Sequence, residues 1–147
     1  MTPFADLLRH MPQQQPFRFV DEVLSVDARH IVCRYTFRPE EDFYRGHFPG
    51  RPITPGVILL EAMAQSGVVL HGLYLLIAEG VSPARYRTMF TDAQVEWYAP
   101  VAPGETVTVG SELIAWRRRR IRSRVELRLA DGRLAASGAL AGMGVEI

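Results

Sequence analysis

Gly46-His47-Phe48-Pro49-Gly50-Arg51-Pro52-Ile53-Thr54-Pro55-Gly56-Val57-Ile58-Leu59-Leu60-Glu61-Ala62-Met63-Ala64-Gln65 is the stretch on which the fold turns. Three prolines and three glycines fall between positions 46 and 56, so its first half predicts a tight loop. Its second half predicts a helix. Thr54 suits the N-cap, Pro55 the first helical position, and Gly56 follows with an unpaired backbone N–H. The apolar run from Val57 to Ala78 carries the helix to about Glu79, roughly 36 Å at 1.5 Å per residue. A helix that is apolar on every side belongs inside a core. Gly80 is placed to end it as a C-cap, and Pro83 stops any continuation.

Two ionisable residues interrupt this apolar setting, His47 in the loop and Glu61 about two turns into the helix. A buried carboxylate is costly, and burial raises its pKa toward the range a general acid needs. Histidine as a residue type titrates near neutrality. Gln65, at i+4 from Glu61, shares its helix face and can orient the carboxyl. The Gly56 N–H, at the positive end of the helix, can polarise a carbonyl oxygen. A base, an acid, an orienter and an oxyanion donor thus fall within nineteen positions. For His47 or Glu61 taken alone, a structural role is the competing reading.

Outward from this stretch, residues 3 to 10 predict a short amphipathic helix with Phe4, Leu7 and Leu8 on one face. Met11 to Pro16 is a loop. Phe17 to Val26 and His30 to Arg38 predict a hairpin turning at Asp27-Ala28-Arg29, with Ile31, Cys33, Tyr35 and Phe37 on one side of the second strand. Pro39 to Arg45 is a polar loop. Four strands follow the helix: Tyr86 to Tyr98, Glu105 to Trp116, Ile121 to Ala130 and Arg133 to Val145. Arg117 to Arg120 is a hairpin tip, and Asp131-Gly132 signals a two-residue hairpin turn. Ser66 and Gly67 are small enough to admit another element closely. One long buried helix and about six strands imply α+β, an antiparallel sheet on a helix, in a single domain over 1–147.

At 147 residues and 48% hydrophobic content, the chain has apolar surface to spare, which favours an oligomer. The N-terminus does not read as a signal peptide. The central apolar run approaches the length of a membrane span, but Glu61, Gln65 and His71 inside it favour a buried helix. Cys33 is the single cysteine, so no intrachain disulfide forms; a reducing cytoplasm fits, and no spacing suggests a metal site. Lysine is absent. Residues 117 to 133 hold eight arginines against Glu126 and Asp131, while the whole chain carries only +1. Guanidinium forks suit phosphate and carboxylate partners. Nothing aromatic alternates with them, which argues against nucleic acid.

The stretch from Phe43 to Gln65 resembles the active-site segment of the 3-hydroxyacyl-[acyl-carrier-protein] dehydratases of fatty-acid synthesis. There a GHFPG-x-P-x-x-PG-[VC] loop leads into a helix carrying L-[ED]-A-M-x-Q. Pro16-Phe17-Arg18-Phe19-Val20-Asp21 is similar to the family's PF-x-x-VD, and Ala99 to Glu105 to its RPV-x-PGD. The resemblance implies the hot-dog fold, a sheet curled round the central helix. It also implies elimination of water from 3-hydroxyacyl thioesters on an acyl carrier protein, giving trans-2-enoyl thioesters without metal or redox cofactor. Glu61, rather than aspartate, is similar to the branch that dehydrates without isomerising.

In this reading His47 is the base, Gly56 the oxyanion donor, Glu61 the acid and Gln65 its orienter. The family's site is shared, with histidine and acid coming from different subunits of a dimer, which itself can assemble further. Phe48, Pro49, Val57, Leu60, Met63, Met89, Phe90 and Trp97 are candidates to line the acyl tunnel, with ordinary core as their alternative. Arg122, Arg124 and Arg128, on one strand face, are candidates to dock the acidic carrier or its phosphopantetheine, with a solvated hairpin as the alternative. The chain departs from the family at Pro12-Gln13-Gln14-Gln15-Pro16-Phe17, where PHRYPF is usual, and at Gln94 to Ala99, where basic residues are common. Specialised polyketide or aryl-polyene synthesis therefore stands beside fatty-acid synthesis. A hot-dog thioesterase and a non-catalytic acyl-thioester-binding subunit are the competing functions.

Overall fold

A computed structural model describes residues 5–147. The short first helix, α1 (Ala5–Arg9), is present and buries Leu7; Phe4 of the expected helix lies outside the described residues. Six strands form one antiparallel sheet: β1 (Glu22–Val26), β2 (His30–Thr36), β3 (Tyr86–Trp97), β4 (Thr106–Arg117), β5 (Arg120–Leu129) and β6 (Leu134–Glu146). Their spatial order is β1-β2-β4-β5-β6-β3, so β3 reaches its place at the far edge by a crossover. Ile31, Cys33, Tyr35 and Phe37 all point inward and are buried, as period-two alternation requires. In β5, Ile121, Val125, Leu127 and Leu129 face the core while Arg122, Arg124 and Arg128 face out.

The sheet wraps one helical rod, Gly56–Ala78, which is the hot-dog arrangement. The rod is long and apolar enough to cross a membrane, but 72% of its most apolar window is buried inside the protein. It is not uniform. α2 (Gly56–Ala64) passes through a π-helical segment, Gln65–Leu70, into α3 (His71–Ala78). Gly67, in that segment, lies against β4 and β5: a Cβ there would meet Ser111 Oγ at 2.7 Å and Val125 Cγ2 at 2.8 Å. Ser123 Oγ donates to the Gly67 carbonyl at 3.0 Å. The small residue therefore does admit the sheet at close range. Apolar spacing cannot distinguish an i+4 from an i+5 ladder over a single turn, so the π segment left no mark in the pattern.

The first hairpin is shorter than expected, with β1 beginning at Glu22 rather than Phe17. Phe17 and Phe19 direct backbone groups at the Gln65 side chain instead of at a neighbouring strand. The two arginines at the β4–β5 tip, Arg118 and Arg119, both have positive φ (53° and 61°), as a tight two-residue hairpin turn demands. The β5–β6 connection uses four residues, 130–133, and not two. Leu129 N donates to Arg133 O across it, and Gly132 takes φ 91°.

Candidate active site

The loop fixes His47 through its own backbone. Ile53 N donates to the His47 carbonyl at 2.9 Å, and His47 Nδ1 lies 2.9 Å from the Ile53 carbonyl. A carbonyl only accepts, so Nδ1 carries the hydrogen and Nε2 of the neutral ring keeps its lone pair. The half-buried imidazole stacks on Phe48, with ring centroids 4.1 Å apart, and the peptide between them is cis. Phe48 itself is 54% exposed.

Thr54 does not cap the helix as expected. Its hydroxyl is 2.6 Å from Tyr44 OH, and the N-cap position passes to Pro55, which makes no side-chain capping bond. The aromatic hydroxyl, buried in the loop, claims Thr54 before the helix can. Ile58 N and Leu59 N both donate to the Pro55 carbonyl, so the Gly56 N–H lies ahead of the first bonds of the helix.

Glu61 is half-buried, and its Oε2 accepts from Gln65 Nε2 at 2.9 Å. Gln65 is fully buried and fixed on three sides. Its Oε1 accepts from Phe19 N at 2.7 Å, and its Nε2 also donates to Phe17 O at 2.9 Å. The backbone donor at Phe19 dictates which end of the amide is oxygen, and so turns the NH2 toward Glu61. Burial pushes the Glu61 carboxyl above its ordinary range, and the Gln65 bond offsets part of that rise.

Among the described residues no hydrogen bond, ion pair or ring contact joins His47 to Glu61 within one chain. The candidate tunnel residues are similarly dispersed. Met63 is core, Leu60 is half-buried and Pro49 is exposed. Val57 is 69% exposed, and Met89, Phe90 and Trp97 on β3 are each 44–50% exposed. Trp97 lines a recess of about 300 Å³ with Thr54, Gly56, Leu59 and Tyr98. A second recess, of about 310 Å³, is formed by Phe17, Phe19, Phe43 and Ile58, one helical turn before Glu61. Sequence reading missed that recess and the Phe17–Phe19 clamp on Gln65. The Pro16-Phe17-Arg18-Phe19 motif was the available signal for both.

The outward arginines of β5 are not equivalent. Arg122 pairs with Asp92 at 3.0 Å and Arg128 with Glu126 at 2.6 Å. Arg124 shows no such partner among the described residues; it shares a recess of about 430 Å³ with His30, Glu112, Glu126 and Arg128. Beyond them Arg117, Arg118, Arg120 and Arg122 surround a concavity of about 530 Å³ at the hairpin tip. No group of three His, Cys, Asp or Glu side chains suited to a metal ion occurs among the described residues.

The family described as FabA-like domain matches residues 11–141. The chain is 37% identical over 122 residues to a 3-hydroxyacyl-[acyl-carrier-protein] dehydratase FabZ of Thermus thermophilus, spanning 77% of each chain. It is 32% identical to the FabZ of Herpetosiphon aurantiacus over 148 residues, 95% of this chain and 96% of the relative. Among solved structures, the dehydratase heterocomplex ApeI:P from Xenorhabdus doucetiae superimposes with a TM-score of 0.78 at 16% identity, covering 95% of this chain and 91% of that one. A mutant thioesterase from Pseudomonas aeruginosa gives 0.70 at 12% identity, covering 100% and 96%. At such identities the two structures share the fold alone. The loop-and-helix motif, the sheet wrapped on its helix and the identity to dehydratases over nearly the whole chain agree: this protein belongs to the FabA-like family, on the side of its FabZ-type 3-hydroxyacyl-[acyl-carrier-protein] dehydratases.

Proposed function

We propose that the protein dehydrates 3-hydroxyacyl thioesters carried on an acyl carrier protein, as a hydro-lyase of fatty-acid or polyketide-type synthesis. The observation that carries the mechanism is the pair of opposite preparations at positions 47 and 61. The bond from His47 Nδ1 to the Ile53 carbonyl leaves Nε2 free to accept a proton. Burial strengthens the hold of Glu61 on its proton, and the Gln65 amide, although it offsets part of that rise, aims the carboxyl. Nε2 takes the proton from the carbon beside the thioester carbonyl. The Gly56 N–H holds the oxygen that gains charge. The carbon–oxygen bond at C3 then breaks, Glu61 donates its proton to the departing hydroxyl, and water and the trans-2-enoyl thioester result.

One chain does not complete this site, and a homodimer supplies the remainder. β3 is an open sheet edge with Met89, Phe90 and Trp97 exposed along it, and Val57 and Phe48 are exposed as well. An uncovered apolar edge is a template for pairing with a second copy. The histidine of one subunit then serves the glutamate of the other, and the acyl chain lies between them against Val57, Leu60, Met89 and Phe90. The arginines of β5 and its hairpin, Arg122, Arg124 and Arg128 among them, face the acidic carrier. The buried Cys33 fits a reducing cytoplasm.

Ultraviolet detection of enoyl thioester formed from a 3-hydroxyacyl substrate tests the reaction. The wild type is expected to turn over and His47→Ala to fail. A wild type no faster than the variant would refute the reading.

A further inference from the structure

The indole of Trp97 reaches from the last position of β3 to the first residue of the central helix. Its Nε1–H donates to the Gly56 carbonyl at 3.1 Å. Its ring lies over the Gly56 Cα: a Cβ there would meet Nε1 at 3.2 Å, Cε2 at 3.3 Å and Cδ1 at 3.6 Å. Burial does not account for this placement, since Trp97 remains 46% exposed.

Backbone bonds hold the approach to this helix end, Thr54 N donating to the Val101 carbonyl at 3.0 Å, but no capping side chain reaches its first turn. Thr54, the ordinary capping side chain, is bonded to Tyr44, and no side-chain bond caps the first turn. Glycine has the most backbone freedom of any residue, and helix ends fray. A free N–H on a glycine at an uncapped helix end is a poorer oxyanion donor than a fixed one, because donors help most when they are already in place before charge develops. A Cβ at 56 would press the indole back by a few tenths of an ångström, so the close approach favours a glycine, and the indole in turn limits the freedom that the glycine brings.

We propose that Trp97 is a positioning residue of the dehydration: by holding the carbonyl and Cα of Gly56, it fixes the direction in which the Gly56 N–H meets the thioester oxygen. This rests on the dehydratase reading above. It moves Trp97 from a tunnel wall to a strut between the exposed sheet edge and the start of the helix. A phenylalanine at 97 can cover the glycine but cannot hold its carbonyl.

The test compares kcat and KM for a 3-hydroxyacyl thioester in the full-length wild type, in Trp97→Phe, and in a chain carrying a benzothiophene in place of the Trp97 indole. The benzothiophene keeps the shape and loses only the N–H donor, so it reads the bond even where Trp97→Phe fails to fold. The expected result is a fall in kcat of about tenfold with KM within about twofold, because an interaction that matters in the transition state lowers kcat. A kcat within twofold of wild type in the benzothiophene chain overturns the proposal. So does a raised KM with kcat unchanged, which would make Trp97 a substrate contact. Gly56→Ala supplies a second arm: its added Cβ meets the indole, so its loss in kcat should shrink in the Trp97→Phe background, and strictly additive losses count against the strut. A wild type that forms no enoyl product fails the dehydratase reading itself; a wild type that turns over beside an equally fast variant fails only the role of Trp97.

Discussion

The two ends of the central helix are finished in opposite ways. At the C-terminal end, Gly80 takes φ 77°, Gly80 N donates to Ile77 O at 3.0 Å, and Val81 N donates to Leu76 O at 3.0 Å. That closure satisfies the last carbonyls internally. Trp116 Nε1 adds a bond to Glu79 Oε2 at 3.0 Å. At the N-terminal end no side chain caps the first turn, Thr54 is occupied elsewhere, and Val57 and Phe48 are exposed. Backbone donors are thus left open at one end of the same rod, while the backbone carbonyls are closed at the other. Donors left open one to two turns from a carboxyl whose hold on its proton burial strengthens are what a substrate oxygen and a second subunit can complete.

The largest test of that contrast removes its chemistry. His47→Ala and Glu61→Ala should each lower kcat by about 10²- to 10⁴-fold, the usual worth of a positioned acid or base. Mixing the two inactive proteins should restore part of the activity through hybrid dimers. Mixed subunits without recovery, with exchange verified by native mass spectrometry, would mean that each chain uses its own pair.

Two glycine-to-alanine swaps sharpen the comparison. Gly80→Ala places a Cβ at a left-handed residue and should cost about 1–2 kcal/mol of stability, leaving kcat unchanged. Gly56→Ala should do the reverse, lowering kcat while the melting temperature barely moves. Equal effects on both quantities at both ends would erase the distinction. Replacing Arg122, Arg124 and Arg128 together by glutamine should raise KM several-fold for carrier-bound substrate at low salt, with less effect at high salt and little on a small thioester. Unchanged KM for the carrier-bound form would remove β5 from the docking surface.

The smallest effect is on stability against pH. The folded Glu61 carboxyl titrates above its ordinary value of 4.5, so the folded chain holds that proton more tightly than the unfolded chain. The stability this provides is full below pH 4.5 and is lost as pH rises through the raised value. Glu61→Gln should therefore gain melting temperature over wild type by a margin that grows from pH 4 to pH 9. A constant margin would mean that Glu61 ionises freely in the folded protein.

How much of this was legible beforehand divides by range of interaction. Period-two alternation placed β2 and β5 and their inward faces to within a residue or two, because alternation is local. The apolar run of 57–78 similarly placed the central helix, and the i+4 spacing of Glu61 and Gln65 placed their bond. The motif itself pointed to the four residues proposed for the chemistry, His47, Gly56, Glu61 and Gln65. Where long-range partners compete for a group, local reading failed: Tyr44 took Thr54 from the helix, and Gln65 took the backbone of Phe17 and Phe19 from a strand.

By itself the amino-acid order determined one long apolar helix, about six alternating strands, and an acid, a base, an amide and a glycine at set intervals along one loop and helix. Those features follow from steric and hydrophobic periodicities that act over a few residues. Only the tertiary structure decided which histidine nitrogen is free, how the Gln65 amide is turned, that Trp97 rests on Gly56, and that β3 ends as the uncovered edge. Each of these depends on groups distant in the chain meeting at hydrogen-bonding or van der Waals range, and no local periodicity encodes such meetings.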